Sequence, residues 1–377
     1  MIGPDWWLWT TGAVLCGYLW FGLRIWRGLQ LPTPAANPHQ PKVSVIVAAR
    51  NEANSVGTLL EDLTNQNWPA DQREIILVDD GSTDGTGDIV RQYNDRGVMV
   101  IRIDEPPPGV APKKFALARG IAESTGEFIV TTDADCRVSP SWIAAMIRCF
   151  DAETGIVAGY SRVQTGDKPG FVTQWEAMDF LGLMAAAAGA IGAEMPMGAS
   201  GQNLAYRRQA YEDAGGFTRL MHRPSGDDVL LLQRIVRTTQ WRCRFCKEPD
   251  SFVSTRPCST FRALLQQRMR WASNASAWRL LSPVFSSYLV ITWGTTTAQI
   301  LLPLLWLAGW APAGPALLVW GGRLLMDWLI ISRGGRLFGR TDLFPLFPLW
   351  AFTVPLYIVM MGLLSPFGKF TWKGRAF

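Results

Sequence analysis

Histidine is nearly absent. The 377 residues contain two, so a Ser-His-Asp hydrolase or a His-built metal centre has almost nothing to work with. His222 stands close enough to the SGDD segment at 225–228 to line a site, but a structural or solvent-facing role suits it better. Charge is scarce too, 18% against roughly 25% in soluble domains. The six cysteines include one CxxC, at Cys243 and Cys246, and no second; this argues against a zinc site and fits free thiols in a reducing compartment. No GxGxxG follows the first strand and no GxxxxGKS/T exists, which removes the Rossmann dehydrogenase and P-loop readings. There are no tandem repeats, and no basic, aromatic-interleaved strands that would suggest RNA.

What is abundant is apolar residues, 48% of the chain, with 18 tryptophans concentrated near the two ends. WWLWTTGAVLCGYLWFGLRI, at 6–25, is about the length a spanning helix needs. Arg24 at its end and Arg27 just beyond follow the apolar part, whereas a cleaved signal carries its basic residues in front. The expectation is an uncleaved transmembrane anchor over 1–30 with its N-terminus outside, then a proline-rich linker at 31–41 and a cytoplasmic domain at 42–280. Three apolar segments, near 284–310, 315–332 and 343–365, place transmembrane or interfacial helices in 281–366, before a basic tail at 367–377. The clusters Arg333/Arg336/Arg340 and Lys369/Lys373/Arg375 share the cytoplasmic side only if the last segment does not cross, and Pro345, Pro348 and Pro355 allow it to be re-entrant. The net charge of +5 gathers beside these segments, which suits anionic lipid headgroups and not nucleic acid.

Between the ends the rhythm is regular. KVSVIVAA, EIILVDD, VMVIRID and EFIVTTD are short β-rich runs without alternation, as in strands buried on both faces. Helical stretches at 55–65, 84–93 and 113–123 separate them, so the fold class is α/β with a mostly parallel sheet. FLGLMAAAAGAIGA, flanked by Asp179 and Glu194, reads as a buried or interfacial helix. Helical periodicity returns at DDVLLLQRIVRT and FRALLQQRMRWA.

Open parallel sheets bind ligands outside the carboxyl ends of their strands. Those ends carry Arg50, Asn51 and Glu52, then Asp79 and Asp80, then Asp133 and Asp135. So many carboxylates on one rim repel one another unless a cation joins them, and a divalent metal (Mg2+ or Mn2+) is the economical choice. Each motif also has a plainer reading. Asp133 or Asp135 could cap a helix, though Ser139-Pro140 is expected to cap SPSWIAAMIRCF already. VDDGSTDGT could be a turn, Asp227-Asp228 a helix cap, and QQRMRW a basic helix end at a membrane surface. Arg323 and Asp327, four apart in an apolar helix, either neutralise each other or line a path for a polar headgroup.

In sequence order AARNE (48–52), VDDGSTD (78–84), PKKFALARG (112–120), TDADC (132–136), GQNLAYRR (201–208), SGDDVLL (225–231) and the QxxRW of Gln267, Arg270 and Trp271 resemble an inverting family 2 glycosyltransferase with a GT-A type domain. The resemblance runs from about residue 42 to residue 275, and WKGR at 372–375 is similar to the tails of membrane members that glycosylate lipids. It implies that Arg50, Asn51, Glu52, Asp79 and Asp80 hold the uridine of a nucleotide-sugar donor, that Lys113 contacts the donor, and that Asp133 and Asp135 bind ribose and metal. It further implies that Asp228 is the catalytic base, with Asp227, Gln267, Arg270 and Trp271 near the diphosphate and acceptor. Ala48 and Pro112 depart from the pattern, where proline and glycine are common, without removing a functional group. The activity implied is hexosyl transfer from a UDP-sugar to a membrane lipid by a multi-pass protein of the inner (plasma) membrane with a cytoplasmic catalytic domain. A processive polysaccharide synthase and an inactive nucleotide-sugar-binding scaffold are the alternatives.

Overall fold

The structure, a computed structural model, describes residues 6–31, 40–364, 371–372 and 375–376. Most of the expected linker, and Lys369 and Lys373 of the expected tail, lie outside the described residues. In chain order the first elements are α1 (Trp6–Gln30), β1 (Val43–Ala49), α2 (Val56–Thr64), β2 (Arg73–Asp80), α3 (Thr86–Arg91), β3 (Val98–Ile103), α4 (Pro112–Glu123) and β4 (Phe128–Asp133). There follow β5 (Cys136–Arg137), α5 (Trp142–Arg148), β6 (Thr154–Gly159), β7 (Ser161–Val163), α6 (Phe171–Gly192), β8 (Leu204–Arg207), α7 (Arg208–Asp213), α8 (Val229–Thr238), β9 (Arg242–Cys246) and β10 (Val253–Thr255). The helices α9 (Phe261–Ala272), α10 (Pro283–Leu307), α11 (Ala313–Leu337) and α12 (Phe347–Leu364) come next.

These elements form two units. The sheet unit comprises 32–166, 198–257 and 369–377. Its seven-stranded sheet has the order β3-β2-β1-β4-β8-β6-β9. Strands β1 to β4 run parallel, β8 is antiparallel to both β4 and β6, and β6 and β9 are parallel. Val43, Val45, Ile46 and Val47 of β1 are fully buried, because both faces of a central parallel strand are covered. In register, Ala49 stands opposite Asp79 and Ala48 opposite Asp133, so the loops after β1, β2 and β4 leave the sheet at one edge.

The helical unit comprises 1–31, 167–197 and 258–368. The linear domain expected at 42–280 is thus interrupted by α6 and α9, which cluster with the helices. The reason is visible where α1 crosses α6: a Cβ on Gly28 would stand 1.9 Å from the Gly189 carbonyl oxygen, and one on Gly192 2.2 Å from that of Gly28. Only glycine lets the two backbones approach so closely.

Among the described residues, three helices are long and apolar enough to cross a membrane: Pro283–Leu307, Ala313–Leu337 and Thr341–Leu364. All lie on the C-terminal side, which corrects the expectation of spanning helices at both ends. The N-terminal helix forms, with 25 residues, but its tryptophans, glycines, threonines and Arg24 and Arg27 dilute its hydropathy. Within this unit Arg323 Nε contacts Asp327 Oδ2 at 3.3 Å, and Asp327 also accepts from Tyr18. The two charges neutralise each other, as the plainer reading had it.

Candidate active site

The first site segment follows β1. Asn51 adopts φ 53°, a left-handed backbone that asparagine tolerates, and its Oδ1 accepts from Thr83 N at 2.9 Å. Arg50 Nη1 donates to the Asp80 carbonyl at 2.5 Å, and Glu52 N to Thr86 Oγ1 at 2.8 Å. The Arg50–Glu52 segment therefore fixes the VDDGSTD loop. That loop is also pinned from within: Asp79, 1% exposed, accepts from Ser82 N through Oδ1 at 2.9 Å. Its Oδ2 lies 3.7 Å from Arg102 but has no hydrogen-bond donor among the described residues, leaving a buried acceptor orphaned there.

Four further predicted residues come together at the N-terminus of α4. Pro112 occupies the first turn, where its missing N–H costs nothing, so this departure from the family pattern helps to start the helix. Next to it, Lys113 Nζ lies 2.7 Å from Asp133 Oδ1 and 2.8 Å from Asp227 Oδ2. Although burial opposes its charge, the two carboxylates raise the Lys113 pKa well above the usual lysine value. The cation required by the crowded rim is, in part, this ammonium.

Asp228 is the N-cap of α8, as the plainer reading expected, but capping uses only part of it. Oδ1 accepts from Val229 N at 2.6 Å and Oδ2 from Gly201 N at 2.9 Å. A carboxylate offers about four lone-pair positions, so acceptor capacity remains on both oxygens. Burial, and then the like charge of Asp227, raises its pKa above the ordinary aspartate value. Gly201 packs closely here: a Cβ would sit 3.0 Å from Asp227 Oδ2, a tight contact, and 3.5 Å from Lys113 Nζ and 3.6 Å from Asp228 Oδ2.

Asp135 stands half-buried beyond the end of β4, with Cys136 Sγ 3.7 Å from its Oδ1. The expected cap at Ser139-Pro140 is displaced: Ser139 Oγ accepts from Ser141 N at 3.3 Å, ahead of the helix and not within it. Helix α5 begins at Trp142 with Ser141 in the cap position, while Ser139 Oγ donates to the Asp250 carbonyl at 2.6 Å. Asp133 and Asp135 nevertheless cap nothing, because β5 intervenes. Among the described residues no three His, Cys, Asp or Glu side chains could cage an ion. The pair Asp133 and Asp135 still fits a Mg2+-like ion, which takes one or two carboxylates and completes its shell with substrate phosphates and water.

Gln267, Arg270 and Trp271 lie on α9 in the helical unit. Sequence reasoning missed what holds them. Arg268, 2% exposed, donates through Nε to Asp179 Oδ2 at 2.9 Å and through Nη1 to Gln267 Oε1 at 2.6 Å, and it lies 4.3 Å from the Trp271 ring centroid. The available signal was Asp179 itself, a carboxylate in an otherwise apolar helix. Lys114 was also missed. Its buried Nζ donates to the Ser225 carbonyl at 2.6 Å and also to that of Arg223, holding the loop that leads to Asp227. His222 is exposed, with Nδ1 2.9 Å from the Gly109 carbonyl oxygen, and stays structural.

The mostly parallel sheet with acidic loops at the carboxyl ends of its strands is a GT-A-like α/β domain, as the following family match and structural likeness show. Residues 44–222 match the family model Glycosyl transferase family 2. The chain is 29% identical over 236 residues to "Probable glycosyltransferase YdaM" of Bacillus subtilis (strain 168), covering 62% of this chain and 54% of that one. It is 25% identical over 290 residues to "Beta-monoglucosyldiacylglycerol synthase" of Synechocystis sp., covering 70% and 58%. It therefore spans a little over half the length of these two curated relatives. Among solved structures, the mannosyltransferase PcManGT from Pyrobaculum calidifontis, in complex with GDP-Man and Mn2+, aligns with a TM-score of 0.62 at 21% identity over 96% of this chain and 97% of that one. At that identity the likeness speaks to the fold.

Proposed function

We propose that the protein is an inverting, divalent-metal-dependent glycosyltransferase that moves a hexose from a UDP-sugar to a hydroxyl or phosphate of a membrane lipid, working at the cytoplasmic face of the inner (plasma) membrane. The observation that carries this reading is the cluster in which Lys113 joins Asp133 to Asp227 while two backbone N–H groups aim Asp228.

Binding of the donor completes groups that the fold leaves open. The orphaned Asp79 Oδ2 would accept an N–H from the base, and the Arg50–Glu52 segment holds the loop that presents it. Asp135 and Asp133 would hold the metal, which when bound supplies Lewis-acid stabilisation of the leaving diphosphate. Lys113 adds a positive charge at the same place. Asp228 receives the proton of the acceptor hydroxyl as that oxygen attacks the anomeric carbon on the face opposite the leaving group, which inverts the configuration. Its raised pKa makes it a better base than an exposed aspartate, and Lys113 pairs with the neighbouring Asp227 at 2.8 Å. A lipid acceptor is supported by the three apolar helices and by the printed name of the Synechocystis relative.

The test uses membranes carrying the full chain, Mn2+ and a panel of UDP- and GDP-sugars, with release of nucleoside diphosphate as the readout. One UDP-sugar is expected to turn over, chelation to stop it, and Asp228→Asn to abolish it while donor binding persists. Full turnover by Asp228→Asn would remove the proposed base, and the absence of release from every donor would remove the activity.

A further inference from the structure

The helical unit contains a cavity of about 280 Å³ that the reaction as described does not use. Its walls come from three helices: Phe171 and Trp175 from α6, Phe261 and Leu265 from α9, Leu356 and Tyr357 from α12. On α12 the lining positions are 353, 356, 357 and 360, one stripe of that helix. The few polar atoms at the walls are engaged: Trp175 Nε1 donates to Thr353 Oγ1 at 2.9 Å, Thr353 Oγ1 donates to the Leu349 carbonyl at 3.0 Å, and the Tyr357 hydroxyl pairs with Arg268. An ordered water needs two to four polar partners and finds none to spare, so the cavity suits hydrocarbon.

Two features say which hydrocarbon. The α12 wall belongs to the span Thr341–Leu364, the most apolar of the three with mean hydropathy 1.8, which places the cavity beside the one region where acyl and prenyl chains are concentrated. The α9 wall lies within two turns of Gln267, Arg270 and Trp271 on the same helix. Arg268, one turn beyond Leu265, is 2% exposed and keeps Nη2 without a hydrogen-bond acceptor among the described residues. The helix that walls the cavity therefore also holds a buried donor that an oxygen-bearing head group would satisfy.

We infer that this cavity between α6, α9 and α12 seats the hydrocarbon chain of the acceptor lipid. The inference rests on the lipid-acceptor reading above and adds to it the place where the chain is held. Specificity among lipids would then follow chain length and shape, because an apolar cavity discriminates by the volume it can fill.

The experiment places the full chain in phosphatidylcholine nanodiscs doped with diacylglycerol carrying a diazirine at the end of one acyl chain. After irradiation without sugar donor, labelled peptides are mapped by mass spectrometry. Label is expected on 171–175, 261–265 and 353–360, and it should fall several-fold in the cavity-filling variants Leu265→Trp and Leu356→Trp while label on α10 and α11 persists. For the unmodified protein, a series of probes with shortened chains should lose cavity label stepwise, which tests the idea even if a variant misfolds. Label spread evenly over the outer faces of α10, α11 and α12, insensitive to both variants and to chain length, would mean annular lipid only and overturn the inference. The two readings separate cleanly. Cavity labelling with no sugar on any lipid refutes the acceptor assignment alone, whereas a glycolipid product without cavity labelling refutes the cavity alone.

Discussion

At the scale of single residues, the site depends on how few positions are free to change. Asp228 accepts from two backbone donors and asparagine can accept from only one of them, so Asp228→Asn should keep the Val229 cap, give up the Gly201 bond and lose transfer by roughly 10²–10⁴-fold, the usual contribution of a positioned base; single-turnover kinetics beside donor-binding titration would check it. Gly201→Ala makes a sharper test of geometry. The added methyl would press on Asp227 Oδ2 at 3.0 Å and shift it by a few tenths of an ångström, while meeting Asp228 Oδ2 only in ordinary contact at 3.6 Å, and small misplacements of groups at a reacting centre lower the rate. The expected result is a fall in kcat with little change in donor affinity; unaltered kcat would mean that these carboxylates do not need their present positions.

At the scale of elements, the N-terminus of α4 carries two adjacent lysines with opposite environments. Burial pushes Lys114 down to about 8, below its unfolded value of roughly 10.4, so the unfolded chain binds more protons across that window and stability should rise with pH through it. Lys113 is raised by Asp133 and Asp227 against the opposing effect of burial; its stabilisation is complete below about 10.4 and lost only as pH climbs beyond. Denaturation midpoints should therefore increase from about pH 8 to about pH 10 and fall above, and Lys114→Met should flatten the rise. The strands were legible because parallel strands buried on both faces read as unbroken apolar runs, as VSVIVAA does. The carboxylates were legible because each follows such a run. What the sequence hid was three-dimensional: that Lys113 bridges Asp133 to Asp227, residues 94 apart, and that Asp62, not a cap, takes Arg137 at 2.6 Å just after the Asp133-Ala134-Asp135 motif. Helix α5 likewise starts two residues after the expected proline, while Ser139 Oγ accepts from Ser141 N at 3.3 Å and donates to the Asp250 carbonyl.

At the scale of the whole molecule, the chain alternates between its two units, and this is what linear composition could not convey. Alanine and glycine in α6 looked like a short apolar run; in the fold they allow close contact with α1, and Asp179 is buried among them to meet Arg268. Burial raises the Asp179 carboxyl against the lowering effect of Arg268, a sign that this charge is tolerated only with its partner. Removing that partner should be costly: Asp179→Ala leaves a guanidinium buried alone and is expected to destabilise by about 3–5 kcal/mol, read as a lower unfolding temperature of the detergent-solubilised full chain. A change near zero would show that Arg268 finds solvent or another partner.

The same scale holds the claim on which the account turns, that a sugar leaves a nucleotide and arrives on a lipid. Mass spectrometry of chloroform-soluble products, from membranes carrying the full chain and incubated with labelled nucleotide sugars, measures it directly. The account predicts, for one donor, a lipid heavier by a single sugar that disappears with Asp228→Asn. A ladder of added sugars, or no sugar on any lipid with every donor, would contradict it.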